Sequence, residues 1–252
     1  MTLWRQLSRS GLILCACFLS ACAGQEGSDN SLIADPYEGF NRTMLDVNRG
    51  LDRAILRPAS IGYETAVPET LRFIIRNEIN HLSTPIDFAN YLLQGNFVEA
   101  GASLARFTMN TVLGGGGFLD PATEFGLPKQ ETDFGITLGV WGVGEGPYIM
   151  LPFFGPSTAR ELPSYIVDRA FSPLTYLTLV GPLDDVKGLP VGVRLLDDVD
   201  KRAENFDLVD HLLYETEDSY VTLRSAYVQR RRAQLAGSEG LIDSLPDIFD
   251  ED

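Results

Sequence analysis

The residues best placed for chemistry stand near the start of the chain. Leu19-Ser20-Ala21-Cys22 close a short apolar run and have the form of a lipobox, where the cysteine thiol takes a diacylglyceryl group and the preceding peptide is removed. Arg5 and Arg9 supply a positive flank, and Gly11 to Leu19 form an apolar segment too short to span a bilayer. Cys22 is therefore the expected lipidation site, with residues 1–21 as its signal peptide. Each acyl chain contributes about 0.8 kcal/mol per buried methylene, so two or three chains hold a protein at a membrane almost permanently.

Other reactive arrangements are weak. Ser103 in Gly101–Ala105 and Ser157 in Gly155–Ala159 approach a GxSxG elbow, but both lack the last glycine and a preceding strand. The histidines, His81 and His211, fall in no HExxH or similar spacing, which argues against a zinc hydrolase. All three cysteines lie at or before position 22, so the mature chain has no disulfide, no Cys-based metal site and no thiolate beyond the anchor. Gly114, Gly115, Gly116 and Gly117 lack the GxxxxGK[ST] pattern of a phosphate loop. A flexible joint is the simpler reading of that run, with Phe118 beside it. The residues point to a non-enzyme with no cofactor and no metal.

The elements that must carry these residues are helical. From position 22 to 34 the chain is mostly small and polar and reads as a tether; the body is expected over 35–236. Asp35-Pro36-Tyr37-Glu38 reads as a cap, a first-turn proline and a capping-box glutamate. Tyr37, Phe40, Met44, Val47, Leu51 and Ile55 then recur at helical steps. Pro68 and Thr84-Pro85 each open a further segment, the second ending near Gly95. Asn96 with Glu99 caps a helix running to about Leu113, whose apolar residues nearly encircle it, so that it is buried in protein or in lipid. Later helices are expected at Asp133–Trp141, Pro163–Ala170, Pro173–Val180, Val191–Glu204 and Asp218–Ala236. Residues 237–252 hold six acids and no base, and read as a solvated tail. No strand alternation of useful length appears.

Charge and hydropathy narrow the setting. The net charge of −15 becomes −17 once Arg5 and Arg9 leave with the signal peptide. So acidic a body does not track nucleic acid, and net charge does not draw it to anionic lipid. Between Phe134 and Pro156 Glu145 is the one charge, yet glycines and prolines cut the stretch too often for a straight span. Backbone of this kind packs on protein, lines a wet cavity or lies at the headgroup boundary. Trp141, Tyr148, Met150, Leu151, Phe153 and Phe154 are accordingly the candidates to contact lipid or line a passage.

Five blocks in order resemble the VacJ/MlaA family of outer-membrane lipoproteins. They are Asp-Pro-Tyr-Glu-Gly-Phe-Asn-Arg-Thr-Met at 35–44, Tyr-Leu-Leu-Gln-Gly at 91–95, Arg-Phe-Thr-Met-Asn-Thr-Val-Leu-Gly-Gly-Gly-Gly-Phe-Leu-Asp at 106–120 and Gly-Val-Gly-Glu-Gly-Pro-Tyr-Ile-Met-Leu-Pro-Phe-Phe-Gly at 142–155. Tyr220, Arg224, Tyr227 and Arg230 make a weaker fifth. The resemblance implies an all-α single domain of many short amphipathic helices, forming a ring or disc around an amphipathic channel. It implies a lipid-anchored protein on the periplasmic face of the outer membrane. There it would remove mislocalised phospholipid from the outer leaflet, associate with a trimeric porin and pass the lipid to a soluble periplasmic carrier. Where the family often has Gly-x-Gly-Gly, four glycines imply a looser joint at a gate. The alternative is a structural lipoprotein that docks or organises porins without carrying lipid; a lipase is a third reading.

Overall fold

A computed structural model describes residues 33–180 and 188–237. The signal peptide, Cys22, nearly all of the tether and the acidic tail after Gly237 lie outside the described residues. The described chain is one all-α domain carrying a single two-stranded hairpin.

Its elements are α1 (Glu38–Leu51), a π-helical turn (Asp52–Leu56), α2 (Arg57–Ala66), α3 (Glu69–Gln94), α4 (Phe97–Val112) and α5 (Pro121–Glu124). There follow α6 (Phe134–Val140), β1 (Tyr148–Leu151), β2 (Gly155–Thr158), α7 (Ser164–Phe171), α8 (Pro173–Val180) and α9 (Leu189–Glu204). The described chain ends with α10 (Phe206–Asp210), a second π-helical turn (His211–Glu215) and α11 (Ser219–Ala236).

Local signals fix most of these boundaries. The Asn96, Asp133 and Asp218 side chains accept hydrogen bonds from the first-turn amides of α4, α6 and α11. Gly95 and Gly237 end α3 and α11 in the left-handed conformation that favours glycine. Asp35 does not cap α1 as the sequence suggests. Its carboxylate instead accepts from Asn41 Nδ2, from the Tyr220 hydroxyl and from Arg224 Nη1, tying the chain's start to α11. Nor does Pro85 begin a new helix: α3 runs through it without a break. Asn77, His81, Thr84, Asp87 and Tyr91 form one buried stripe on both sides of the proline, and that packing offsets the lost rung.

The hairpin also departs from the sequence reading, which saw extended chain but no paired strands. Tyr148 faces Thr158 and Leu151 faces Gly155 in an antiparallel register. Asn41 fastens it, accepting from Met150 N at 2.8 Å and donating to the Tyr148 carbonyl at 3.0 Å. The apolar core lies here, where Ile33, Leu45, Tyr148, Met150, Tyr220 and Val228 pack together.

Packing then closes a circuit. α1 meets β1, β2 meets α11, α11 meets α6, α6 meets α3, α3 meets α9, and α9 meets α2 and the π turn that returns to α1. α4 lies along α3 on the flank of this circuit.

Candidate lipid-facing surface and its polar interior

Along α1, α3 and α4 the usual sorting of residues is reversed. α4 buries Ala100, Ser103, Arg106 and Asn110, while Phe97 and Val98 stand 73% and 80% exposed and Leu104 and Val112 are also outside. Ser103, Arg106 and Asn110 follow at three- and four-residue steps, a polar stripe within an otherwise apolar helix. α1 and the π turn after it repeat the arrangement. Asn41, Leu45 and Asp52 turn inward, whereas Tyr37, Phe40, Val47 and Ile55, most of the apolar stripe read from sequence, face out. In α3 the exposed apolar residues include Leu71, Phe73, Leu92 and Leu93. Monomeric proteins in water rarely expose apolar surface on this scale, because each square ångström withheld from water stabilises by about 25 cal/mol. No helix among the described residues is long and apolar enough to cross a membrane.

Inside, charged groups meet at the seams of the circuit. Arg202 reaches Asp52 and Asp210, joining α9 to the first π turn and to α10. Arg76 of α3 pairs with Asp200 of α9, which also accepts from the Tyr63 hydroxyl of α2. Arg231 of α11 pairs with Asp133 before α6 and with Glu161 after β2. Burial alone would push the Asp133 carboxyl up, but Arg231 and the α6 amides hold it below the ordinary range.

The four-glycine run is a clasped turn. Gly115, Gly116 and Gly117 all have positive φ, and amides of the run donate back to Met109, Asn110 and Thr111 carbonyls. A Cβ on Gly114 would stand 2.4 Å from the Leu119 carbonyl, and one on Gly117 would strike the His81 ring at 2.5 Å. Asp120 closes the turn by accepting from Arg106 Nη2 at 3.0 Å and from Asn110 Nδ2 at 2.8 Å. The Phe118 carbonyl is held by Asn77 Nδ2, while the Phe118 ring is exposed. These bonds close the run into a tight turn, and the glycines meet its steric and backbone demands.

The lipid-contact candidates divide. Trp141, Phe153 and Phe154 are exposed, and Leu151 is half-buried. Trp141 donates to the Leu93 carbonyl from Nε1 and sets its ring edge-on to Phe134. Tyr148 and Met150 are corrections, since both are sealed in the core; strand alternation turns them inward against α1 and α11. The stretch is thus neither wholly core nor wholly exposed. His81 stacks on Phe107 at 4.6 Å beneath the glycine turn, and His211 stands by Glu215. Ser103 and Ser157 are buried. The sequence reading missed the Arg106–Asn110–Asp120 clasp, although the spacing of its first two members on an apolar helix was a usable signal.

A family model for the MlaA lipoprotein matches residues 33–234. The chain belongs to that family. It is 37% identical over 238 residues to the intermembrane phospholipid transport system lipoprotein MlaA of Escherichia coli K12, covering 93% of this chain and 91% of the relative. The Haemophilus influenzae protein of the same name is 36% identical over 244 residues, covering 93% and 94%. A structure solved in work on the structural basis for maintenance of bacterial outer membrane lipid asymmetry superposes with TM-score 0.71 at 36% identity, over 80% of this chain and 99% of that one. Three of the five blocks that carry the family resemblance meet in space. Asp35 and Asn41 of the first, Tyr148 and Met150 of the fourth, and Tyr220 and Arg224 of the fifth form one seam. The third block is the glycine clasp.

Proposed function

We propose that this chain is an outer-membrane lipoprotein that draws misplaced phospholipid out of the outer leaflet and hands it to a soluble periplasmic carrier, keeping the two leaflets different. The acylated Cys22 anchors it on the periplasmic face. The outward apolar residues seat the helices in hydrocarbon, and a trimeric porin stands beside it. A charged headgroup crossing oil costs several kcal/mol unless it moves through a polar path. A closed circuit of helices, apolar outside and charged inside, is suited to enclose such a path. Gly114 to Phe118 and α4 form the gate, with the Arg106–Asp120 pair as its latch.

The observation that carries this reading is the reversed burial of α4 and α1. The test is transfer by the purified full-length chain in proteoliposomes holding a fluorescent phospholipid, with the lipid collected by a soluble lipid-binding acceptor. Protein-dependent loss of the label from the vesicle supports transport. No loss, with porin association intact, supports the porin-organising role instead.

A further inference from the structure

Five arginines are almost closed to water or nearly so in this interior, and four have carboxylate partners: Arg106, Arg202, Arg224 and Arg231. The fifth is Arg160. It is 5% exposed, yet no carboxylate among the described residues forms an ion pair with it. Its Nη1 donates to the Val143 carbonyl at 3.4 Å, while Nε and Nη2 have no partner at all. Those two nitrogens form one edge of the guanidinium, the edge that donates two parallel hydrogen bonds to a carboxylate or phosphate. Gly139 leaves room for the group, since a Cβ there would sit 3.1 Å from Nη1.

One orphan hydroxyl lies close along the chain. Thr158 Oγ1 is buried without a partner two residues before Arg160. The buried Glu161 carboxylate feels the Arg160 charge, but its ion pair is made with Arg231. The end of β2 therefore gathers a hydroxyl and a cation whose forked edge meets no acceptor. Buried donors left unmet are costly to a fold.

We propose that Arg160, with Thr158 beside it, binds the phosphate of a phospholipid, whose oxygens supply the acceptors that the fold omits. This rests on the reading that phospholipid is the cargo. The paired edge is shielded from bulk water, which strengthens a charge-assisted bond formed there and requires the covering chain to move as lipid loads.

The test uses the full-length chain in detergent with three probes: dihexanoyl phosphatidylglycerol, dihexanoylglycerol without phosphate, and inorganic phosphate. Two variants are compared, Arg160→Met and Arg160→Lys. The phospholipid should raise the melting temperature of the unaltered chain, and dihexanoylglycerol should not. Arg160→Met should melt no lower than the unaltered chain without lipid, and should bind the phospholipid about tenfold or more weakly. Arg160→Lys should retain part of the binding. Equal phospholipid affinity in Arg160→Met overturns the site, as does a steep fall in its lipid-free melting temperature. A response to inorganic phosphate with none to the lipid overturns the lipid assignment. If the unaltered chain moves lipid between membranes while Arg160→Met binds it equally well, the site alone fails. If the unaltered chain moves none, the reading beneath it fails.

Discussion

Asp120 accepts from Arg106, Asn110 and Thr123 across the glycine turn, and burial there would otherwise lift its carboxyl. The hydrogen bonds win and hold it below the usual range. Asp120→Ala leaves Arg106 buried beside an empty space, and should cost about 3–5 kcal/mol in detergent unfolding experiments. The paired replacement Arg106→Met with Asp120→Ala should recover most of that loss; if it does not, the pair is not the latch. Asp87 lies at the other extreme. Burial pushes its carboxyl up to about 7, with Lys129 and the Thr132 amide opposing only in part. Burial also raises Asp168 to about 6. Both values exceed that of an unfolded aspartate, about 3.9, so the folded state holds extra protons and stability falls as pH rises from about 4 to 7. Asp120, Asp133 and Asp210 are depressed, and their contribution is lost only as pH falls below about 4. Stability in detergent should therefore peak near about pH 4. Asp87→Asn should flatten the decline in melting temperature between pH 5 and pH 8; an unchanged slope assigns the protons elsewhere.

Helices show what the sequence could and could not reveal. Asn96, Asp133 and Asp218 announce their helix starts because capping is local chemistry between neighbours. Asp35 misleads because its partners, Tyr220 and Arg224, lie far along the chain. Pro85 misleads for a similar reason, since packing on both sides carries α3 through it. The six-residue stripe from Tyr37 to Ile55 correctly gives helical chain, but periodicity cannot say which solvent the stripe faces. Facing the core is the ordinary outcome in water, and α1 and α4 do the opposite. Arg160 was missed altogether, because an arginine's partners are invisible until the fold is known. A direct test of the reversal is Leu104→Lys on the outer face of α4. At a watery surface that change costs under about 0.5 kcal/mol, whereas in hydrocarbon it costs up to about 3 kcal/mol. Made in a Cys22→Ser chain that carries no acyl group, the change should shift the protein toward the soluble fraction in membrane flotation, with its detergent stability unchanged. Equal flotation would place that face in water or against protein.

The whole molecule is a circuit whose joints are charged and whose rim is oily. Arg202, Arg76, Arg231 and Arg224 each bridge elements distant in sequence, so the closure rests on long-range pairs. The seam at Asp35 brings the first described residues against the last described helix, so the circuit shuts where the two ends of the described body meet. The outward placement of Phe97, Val98, Phe153 and Ile166 bears on how such a chain is made. A copy wearing these side chains in water would clump with its siblings. Such an exterior has to be kept covered from synthesis until an apolar surface takes it.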